Sequence, residues 1–260
     1  MKKKQPVWET KKYYDVARKA SLDLTHPALQ AIKEHAGKAK KVLEVGCGEG
    51  TKLYQLTSTR NESFGIDISQ KAIKRAKKNY PKIKFKIADA EKLPFRNNEF
   101  DLVFSAFLLE HTRSPEKIIL EMIRVCRRYL ILVAPNFGAP NRCSPCFTGS
   151  RWKKLIKGFI KDLERLIWSS KHLSWEQVIP KATPSCYQID WDTTIEPYLG
   201  DLAFFLKDAG LKLELVSSYW KEIEEQLSLI QKIFQGLARL KIYPFTYWGP
   251  HFIVIAKKDL

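Results

Sequence analysis

Short apolar runs recur along the first half of the chain, and a segment with helical spacing follows most of them. The runs lie at 41–45, 63–67, 83–88, 100–106 and 128–134. Short, largely apolar runs of this length are typical of strands buried on both faces of a parallel sheet. Because parallel strands are joined by crossovers, usually helices, the pattern predicts a sheet of strand–helix units over 41–135.

Helices are predicted at 28–35, 51–58, 70–79 and 115–125 by apolar spacing and by residues typical of helix ends. Ser69 is a suitable N-cap for the segment 70–79, and Pro81 follows its end. Pro115 occupies the first position of the segment 115–125, where proline is favoured. Strands and helices therefore alternate, which predicts the α/β class.

The pattern changes after residue 135. A loop rich in Pro, Gly and Asn precedes the segment 151–168, whose apolar residues fall on one helix face while Lys and Arg fall elsewhere. This cationic amphipathic helix has two explanations: it caps the core, or it lies on an anionic membrane or over an apolar substrate. Further helices are predicted at 201–208 and 220–240, and further strands at 211–216 and 252–256.

The length of 260 residues suits one α/β domain with insertions. We expect a single domain over 1–260 with an N-terminal arm and helix (1–40), a core (41–135), an insertion acting as a lid (136–199), and a C-terminal part of the sheet (200–260) with a helical insertion (220–241). No run reaches the roughly 20 apolar residues of a membrane span, and the basic N-terminus lacks the apolar centre of a signal peptide. We therefore expect a cytoplasmic protein, with peripheral membrane association as a further candidate.

The net charge of +17 is the most unusual bulk property. It fits an anionic partner such as nucleic acid, an acidic lipid surface or a phosphorylated substrate. It also fits a basic proteome whose lysines lie on solvated helix faces. Of the five cysteines, Cys143 and Cys146 have metal-ligand spacing, but no second pair is visible, so free thiols are favoured over a zinc site.

The first predicted strand ends in a glycine turn formed by residues 46–50. Glycine lets the backbone approach a ligand closely, and the following helix contributes free N–H groups at its N-terminus. Asp67 ends the second strand about 20 residues further on, where an acid can reach the ribose hydroxyls of a nucleotide-like cofactor. The third glycine is Gly50, so the spacing departs from the dinucleotide-binding pattern G-x-G-x-x-G.

Four motifs, VLEVGCGEG, GIDIS, ADAEKLPF and FDLVFSAFLLEH, follow one another along the chain. In this order and spacing they resemble class I S-adenosylmethionine-dependent methyltransferases, and most of all the type 11 group. The resemblance covers 38–135, with a weaker similarity near 200–257. It implies a Rossmann-like fold with a seven-stranded, mostly parallel sheet, helices on both faces and a helical insertion after the fifth strand. The core 41–135 would bind S-adenosylmethionine, whose product is S-adenosylhomocysteine.

The resemblance also implies the cofactor contacts. Glu44 and the glycine-turn backbone would hold the methionine part, Asp67 the ribose, and Asp89 the adenine. The full set lies at strand ends or in the N-terminal arm: Glu44, Gly46, Cys47, Gly48, Gly50, Asp67, Ile68, Asp89, Ala90, Ser105, Ala106 and Tyr14. For each acid the alternative is a surface turn residue.

His111 is the candidate catalytic base, and its alternative is a structural residue of the loop after the fourth strand. Similar quinone-pathway O-methyltransferases place an acid three positions before the residue equivalent to Glu110, where it helps to hold a metal. That position is Phe107 here, so we expect no metal. The ending SAFLLEH, instead of N/D-P-P-Y, argues against exocyclic-amine methylation of bases or glutamine. No cysteine stands where cytosine-C5 enzymes have their nucleophile.

The acceptor is left open by these motifs. We expect a small, lipophilic or aromatic acceptor that is methylated on oxygen or nitrogen rather than carbon. The candidate substrate contacts are aromatic residues of the insertion: Phe137, Trp152, Trp175, Tyr187 and Trp191. The alternatives are an RNA methyltransferase that uses the positive charge for phosphate contacts, and a non-catalytic cofactor-binding or membrane-associated module. The sequence does not specify the oligomeric state.

Overall fold

The computed structural model describes residue 18 and residues 26–141, 149–164, 167, 173, 175–178, 194–219 and 228–259. Its helices are α1 (Pro27–Gly37), α2 (Thr51–Leu56), α3 (Gln70–Asn79), α4 (Pro115–Val125), α5 (Arg151–Glu164), α6 (Leu199–Asp208) and α7 (Leu229–Arg239). Its strands are β1 (Lys41–Val45), β2 (Glu62–Asp67), β3 (Lys84–Ile87), β4 (Phe100–Ala106), β5 (Cys126–Pro135), β6 (Trp175–Val178), β7 (Thr194–Pro197), β8 (Leu211–Tyr219) and β9 (His251–Lys258).

Seven of these strands form one sheet in the order β3-β2-β1-β4-β5-β9-β8. Strands β1 to β5 are parallel, and β9 runs antiparallel to both of its neighbours. This confirms the predicted seven-stranded, mostly parallel sheet. The chain leaves the centre at β1 toward β3 and returns at β4, so β1 and β4 define the switch point. In open α/β sheets, ligands bind beyond the carboxyl ends of the strands at this point.

Both faces of the sheet are covered by apolar helix faces, as predicted. Within β1, Leu43 and Val45 face one core while Val42 faces the other. The first core includes α4 and α6, and the second includes α1, α2 and α3. The period of two along β1 thus divides a continuous apolar run between two helix layers.

Several element boundaries agree with the sequence prediction. The bounds of β1, β4, α3 and α4 match 41–45, 100–106, 70–79 and 115–125. Ser69 caps α3 because its side chain accepts a hydrogen bond from Ala72 N at 3.2 Å. Pro115 begins α4 as predicted, although Ser114 makes no side-chain cap there.

The second half of the chain differs from the prediction in two places. Strand β8 extends to Tyr219, and α7 begins at Leu229, whereas a single helix over 220–240 was expected. Ser228 and Gln231 form a capping box that fixes the start of α7, while residues 220–227 lie outside the described residues. The insertion contains α5 and also an antiparallel ribbon of β6 and β7, which was not predicted. In the described part of the chain, no helix is long and apolar enough to cross a membrane.

Candidate active site

A cavity of about 470 Å³ opens at the carboxyl ends of the parallel strands, beside the switch point. Its walls come from the glycine turn after β1, the residues after β2 and β3, and the segment 107–113 after β4. The predicted site residues that line it are Gly46, Cys47, Gly48, Asp67, Ile68, Asp89, Ala90 and His111. Residues from both sides of the switch point therefore share one space.

The glycine turn requires glycine for conformation and for space. Gly46 and Gly50 have φ values of 76° and 78°, in the left-handed region that side chains disfavour. A Cβ at Gly46 would lie 2.8 Å from the Leu108 side chain, and one at Gly50 would lie 2.5 Å from the Phe85 ring. Gly50 is the N-cap of α2 and does not line the cavity. Gly50 therefore serves to form the turn, and its prediction as a cofactor contact is corrected.

Asp67 is oriented by backbone donors on both oxygens. Its Oδ2 accepts from Gly48 N and its Oδ1 from Ser69 N, each at 2.8 Å. The carboxylate thus fixes the glycine turn relative to the end of β2. Beside it, the Ile68 side chain is 63% exposed where it borders the cavity. An acid next to an exposed apolar side chain suits a ligand that joins hydroxyl groups to a flat ring.

Glu44 is fully buried beneath the turn and is not part of the cavity wall. Neither carboxylate oxygen accepts a hydrogen bond of normal geometry, and Lys52 Nζ lies 3.9 Å from Oε1. Burial is the main reason that the pKa of Glu44 is raised from 4.5 to about 8. The nearby Lys52 lowers this pKa, and the negative charge of Asp67 contributes to raising it. The Leu53 backbone N–H also lowers this pKa, although it makes no hydrogen bond of normal geometry. At neutral pH this acid is therefore mostly protonated, and a ligand cation beside it would favour loss of the proton.

Lys52 was missed in the sequence analysis. It lines the cavity, donates to the Ala106 carbonyl oxygen at 2.6 Å, and holds its ammonium 5.5 Å from the centre of the Phe107 ring. Its position in the sequence could have indicated it, because Lys52 lies in the first turn of the helix after the glycine turn, and the N-terminal end of such a helix faces the ligand. It ties α2 to the end of β4 across the switch point.

The unusual protonation of Glu44 predicts a pH dependence of stability. Its pKa in the folded protein, about 8, lies above the usual 4.5, so the folded chain keeps a proton that the unfolded chain loses between these values. The stabilisation is complete below the lower value, falls by about 1.4 kcal/mol per pH unit between the two values, and is fully lost once the pH has risen through the upper one. Thermal melts should show Glu44→Gln as stable as the wild type near pH 5 and more stable near pH 9. Parallel curves for the two proteins would contradict the assignment.

The far wall of the cavity comes from the chain just after β4. His111 ends a 3₁₀ turn, Leu109–His111, and its Nε2 lies 3.7 Å from Oε1 of the buried Glu110. Phe107 has a φ of 63°, which is strained for a residue with a Cβ, and it lines the cavity. The sequence analysis also missed other residues of this wall: Leu108, Thr112 and Arg113. Because these residues flank His111 in the sequence, the prediction of His111 as a site residue could also have indicated them.

Other predicted contacts lie away from the cavity. Ser105 and Ala106 are fully buried in β4, and Ala106 acts only through its carbonyl oxygen toward Lys52. Phe137 is 4% exposed in the interior, and Trp175 packs against the core.

Trp152 is on the exposed side of α5, because the inner side of this helix is occupied by other residues. None of Phe137, Trp152 and Trp175 lines the cavity, which corrects their prediction as substrate contacts there. Tyr14, Tyr187 and Trp191 lie outside the described residues.

The described residues gather no group of three or more His, Cys, Asp or Glu side chains that could hold a metal ion.

Comparison with known proteins identifies the core. Residues 43–133 match the family described as methyltransferase domain. The chain is 27% identical over 207 residues to norajmaline N-methyltransferase of Rauvolfia serpentina, covering 74% of this chain and 69% of that protein. It is 34% identical over 101 residues to demethylmenaquinone methyltransferase of Renibacterium salmoninarum, covering 39% and 43%. The chain thus spans less than half of the second relative.

The solved structure of a SAM-dependent methyltransferase from Methanosarcina mazei has the same fold. Its TM-score is 0.56 at 19% identity, covering 88% of this chain and 97% of that one. The shared fold and the family match over residues 43–133 together support a class I S-adenosylmethionine-dependent methyltransferase. Within that class, the segment 43–133 matches the type 11 group of methyltransferase domains.

Proposed function

We propose that this protein transfers the methyl group of S-adenosylmethionine to an oxygen or nitrogen atom of a small, largely apolar acceptor. One observation carries the proposal: a single cavity joins the glycine turn and Asp67 to Phe107 and His111. The first group suits a cofactor and the second suits an acceptor. The relatives support a small-molecule acceptor, since their names give norajmaline and demethylmenaquinone as what they methylate, and the first is named an N-methyltransferase.

The residues present fit the cofactor. Glu44 lies buried beneath the glycine turn without a hydrogen-bond partner of normal geometry, and once deprotonated it would attract the ammonium of the methionine part. A Cβ would fill the space beside Gly46. Asp67 would accept from the ribose hydroxyls, while Ile68 and Ala90 would border the adenine. Asp89, held by a hydrogen bond from Glu91 N at 2.9 Å, would accept from the adenine amine. When bound, S-adenosylmethionine supplies a methyl group on a positively charged sulfur, which is already electrophilic.

The remaining work of the protein is to align the acceptor and to remove its proton. His111 lines the cavity and is the group that would take a proton from an acceptor hydroxyl or amine. Glu110 Oε1, at 3.7 Å, would stabilise the imidazolium that results. Phe107 and Leu108 would provide apolar contact and limit the access of water to the reacting atoms.

Part of the insertion would form a lid over the acceptor end of the cavity. Strand β7 packs against the turn Leu109–His111, so the ribbon of β6 and β7 lies beside the proposed base. Closing this end would align the acceptor and exclude solvent. This proposal narrows the lid from the whole segment 136–199 to the ribbon, in which Trp175 begins β6.

The proposal is tested by incubating the protein with methyl-labelled S-adenosylmethionine and separate panels of small phenols, quinols and amines. Label should appear in a small organic product, and Asp67→Ala should reduce it. A parallel reaction with total RNA tests the alternative suggested by the charge of +17. Label in RNA alone, with binding that falls steeply with salt, would refute the small-molecule proposal. Cofactor binding without transfer to any panel would favour the non-catalytic alternative.

A further inference from the structure

Helix α5 is turned so that its polar and small residues face the protein. Lys154, Gly158 and Asp162, spaced four residues apart, are its buried positions. Asp162 Oδ2 accepts from the Trp248 indole nitrogen at 2.6 Å, and its backbone oxygen accepts from the Tyr243 hydroxyl at 2.6 Å. The Lys154 ammonium donates to the Phe137 carbonyl oxygen. These buried hydrogen bonds fix the rotation of the helix, because breaking them would leave buried polar groups without partners.

The apolar stripe of α5 is consequently presented to solvent. Trp152 is 68% exposed and Ile156 is 58% exposed, although both types are normally buried. The same face carries the further exposed residues Phe159, Ile160 and Leu163. Helix α7 lies nearby and also exposes aliphatic residues, namely Leu229, Ile230 and Ile233. We call these residues of α5 and α7 the apolar surface. A shallow apolar groove of about 280 Å³, lined by Leu155, Ile156, Phe159, Ile160, Phe234, Phe245 and Trp248, lies between the two helices.

Basic residues border the apolar surface. Lys153 and Lys157 are exposed along α5, and Lys232 and Arg239 are exposed along α7. The exposed acid on α5 is Glu164, and the sequence of α7 contains no acid. Apolar side chains flanked by cations on two neighbouring helices complement the surface of an anionic bilayer, which offers acyl chains below and negative head groups above.

We infer that the apolar surface docks this protein onto an anionic membrane, with the side chains of α5 and α7 inserted among the lipids. A second copy of the chain is a poorer occupant. A symmetric dimer would bring the same patch, and hence cationic borders, together on both subunits, and like charges at an interface oppose association. An anionic bilayer instead neutralises these borders. The inference is independent of the proposed reaction, because this surface is formed by other residues than those lining the cavity.

The test is sedimentation of the full chain with vesicles of phosphatidylcholine, with or without phosphatidylglycerol. Binding should require the anionic lipid. Replacing Trp152 and Ile156 together by Asp should weaken it at least about tenfold, since both side chains would otherwise be buried in lipid. Lys153→Gln with Lys157→Gln should weaken it about 25-fold, or roughly fivefold for each cation removed from the membrane surface. All four side chains are exposed, so the fold should persist.

Matched controls separate this surface from the general positive charge. Lys77→Gln with Lys78→Gln removes two exposed cations from α3, and Leu120→Asp places an acid at an exposed aliphatic position of α4. Both controls should bind anionic vesicles as the wild type does. An equal loss with the α3 pair would assign binding to net charge and overturn the inference. Absence of vesicle binding, with a dimer in sedimentation velocity that Trp152→Asp and Ile156→Asp convert to a monomer, would overturn it in favour of self-association.

Discussion

Asp67→Ala is expected to weaken S-adenosylhomocysteine binding by about tenfold to a hundredfold while the protein stays folded. The carboxylate would be a charge-assisted acceptor for the ribose hydroxyls, and losing such a bond costs about 1.5–3 kcal/mol. The change also removes the acceptor for Gly48 N and Ser69 N, which fixes the glycine turn against the end of β2. Isothermal titration calorimetry measures the affinity, and a thermal melt reports the fold.

Two further variants define the origin of that loss. Asp67→Asn keeps one side-chain oxygen that can accept from the backbone, so its affinity should fall between those of the wild type and the alanine variant. Asp208→Ala removes an exposed acid at the end of α6, away from the cavity wall, and should leave the affinity unchanged. If Asp67→Ala bound the product as tightly as the wild type does, the ribose assignment would be wrong.

The sheet could be predicted because its signals are local. Short, largely apolar runs gave β1 and β4 with correct bounds, and Ser69 and Pro115 marked helix starts. The parallel order followed from these units, since each strand had its own crossover segment. The ribbon of β6 and β7 could not be found in the same way. Each of its strands is four residues long, and their pairing joins residues that are far apart in the sequence.

The cofactor side of the cavity was predicted better than the acceptor side. Asp67 and Asp89 follow strands directly, and the carboxyl ends of parallel strands meet at one edge of the sheet, so their place follows from the topology. Lys52 was missed because its role depends on how α2 packs against the end of β4. The aromatic residues of the insertion were chosen by composition, and composition does not specify where a side chain points. Trp152 illustrates this, since it faces solvent on α5.

Helix α5 shows how buried polar groups can override an apolar stripe. The sequence favoured two explanations, in which the stripe either covers the core or meets a membrane or substrate. Asp162 decides the rotation, because its carboxylate accepts from the Trp248 indole and its carbonyl from the Tyr243 hydroxyl. A helical wheel of 151–168 does not contain these partners, which lie more than 80 residues away in the sequence. The helix does cap part of the interior, because Leu155 packs against the cluster of Ala139 and Trp248, but most of the apolar stripe faces solvent.

His111→Gln is expected to lower the rate of methyl transfer by about a hundredfold to ten-thousandfold, while the affinity for S-adenosylhomocysteine stays within about twofold. Glutamine fills similar space and can hydrogen bond, but it cannot accept a proton as a base. The side chain lies in the wall of the cavity next to Phe107 and Leu108, on the side away from Asp67, so cofactor binding should be preserved. Single-turnover measurements with labelled cofactor separate the chemical step from binding.

The pH dependence distinguishes a base from a structural residue. If His111 accepts the proton, the wild-type rate should rise with pH until the imidazole is neutral, and the variant should lack that rise. Glu110→Gln should lower the rate less, because Glu110 acts through the imidazole that lies 3.7 Å from its Oε1. His35→Gln makes the same substitution on α1, where the imidazole Nδ1 contacts the Ala31 carbonyl at 2.8 Å, and should leave the rate unchanged. A His111→Gln variant that keeps both the wild-type rate and the wild-type pH profile would mean that His111 is not the base. The 3₁₀ turn after β4 would then serve the reaction only by shaping the acceptor wall.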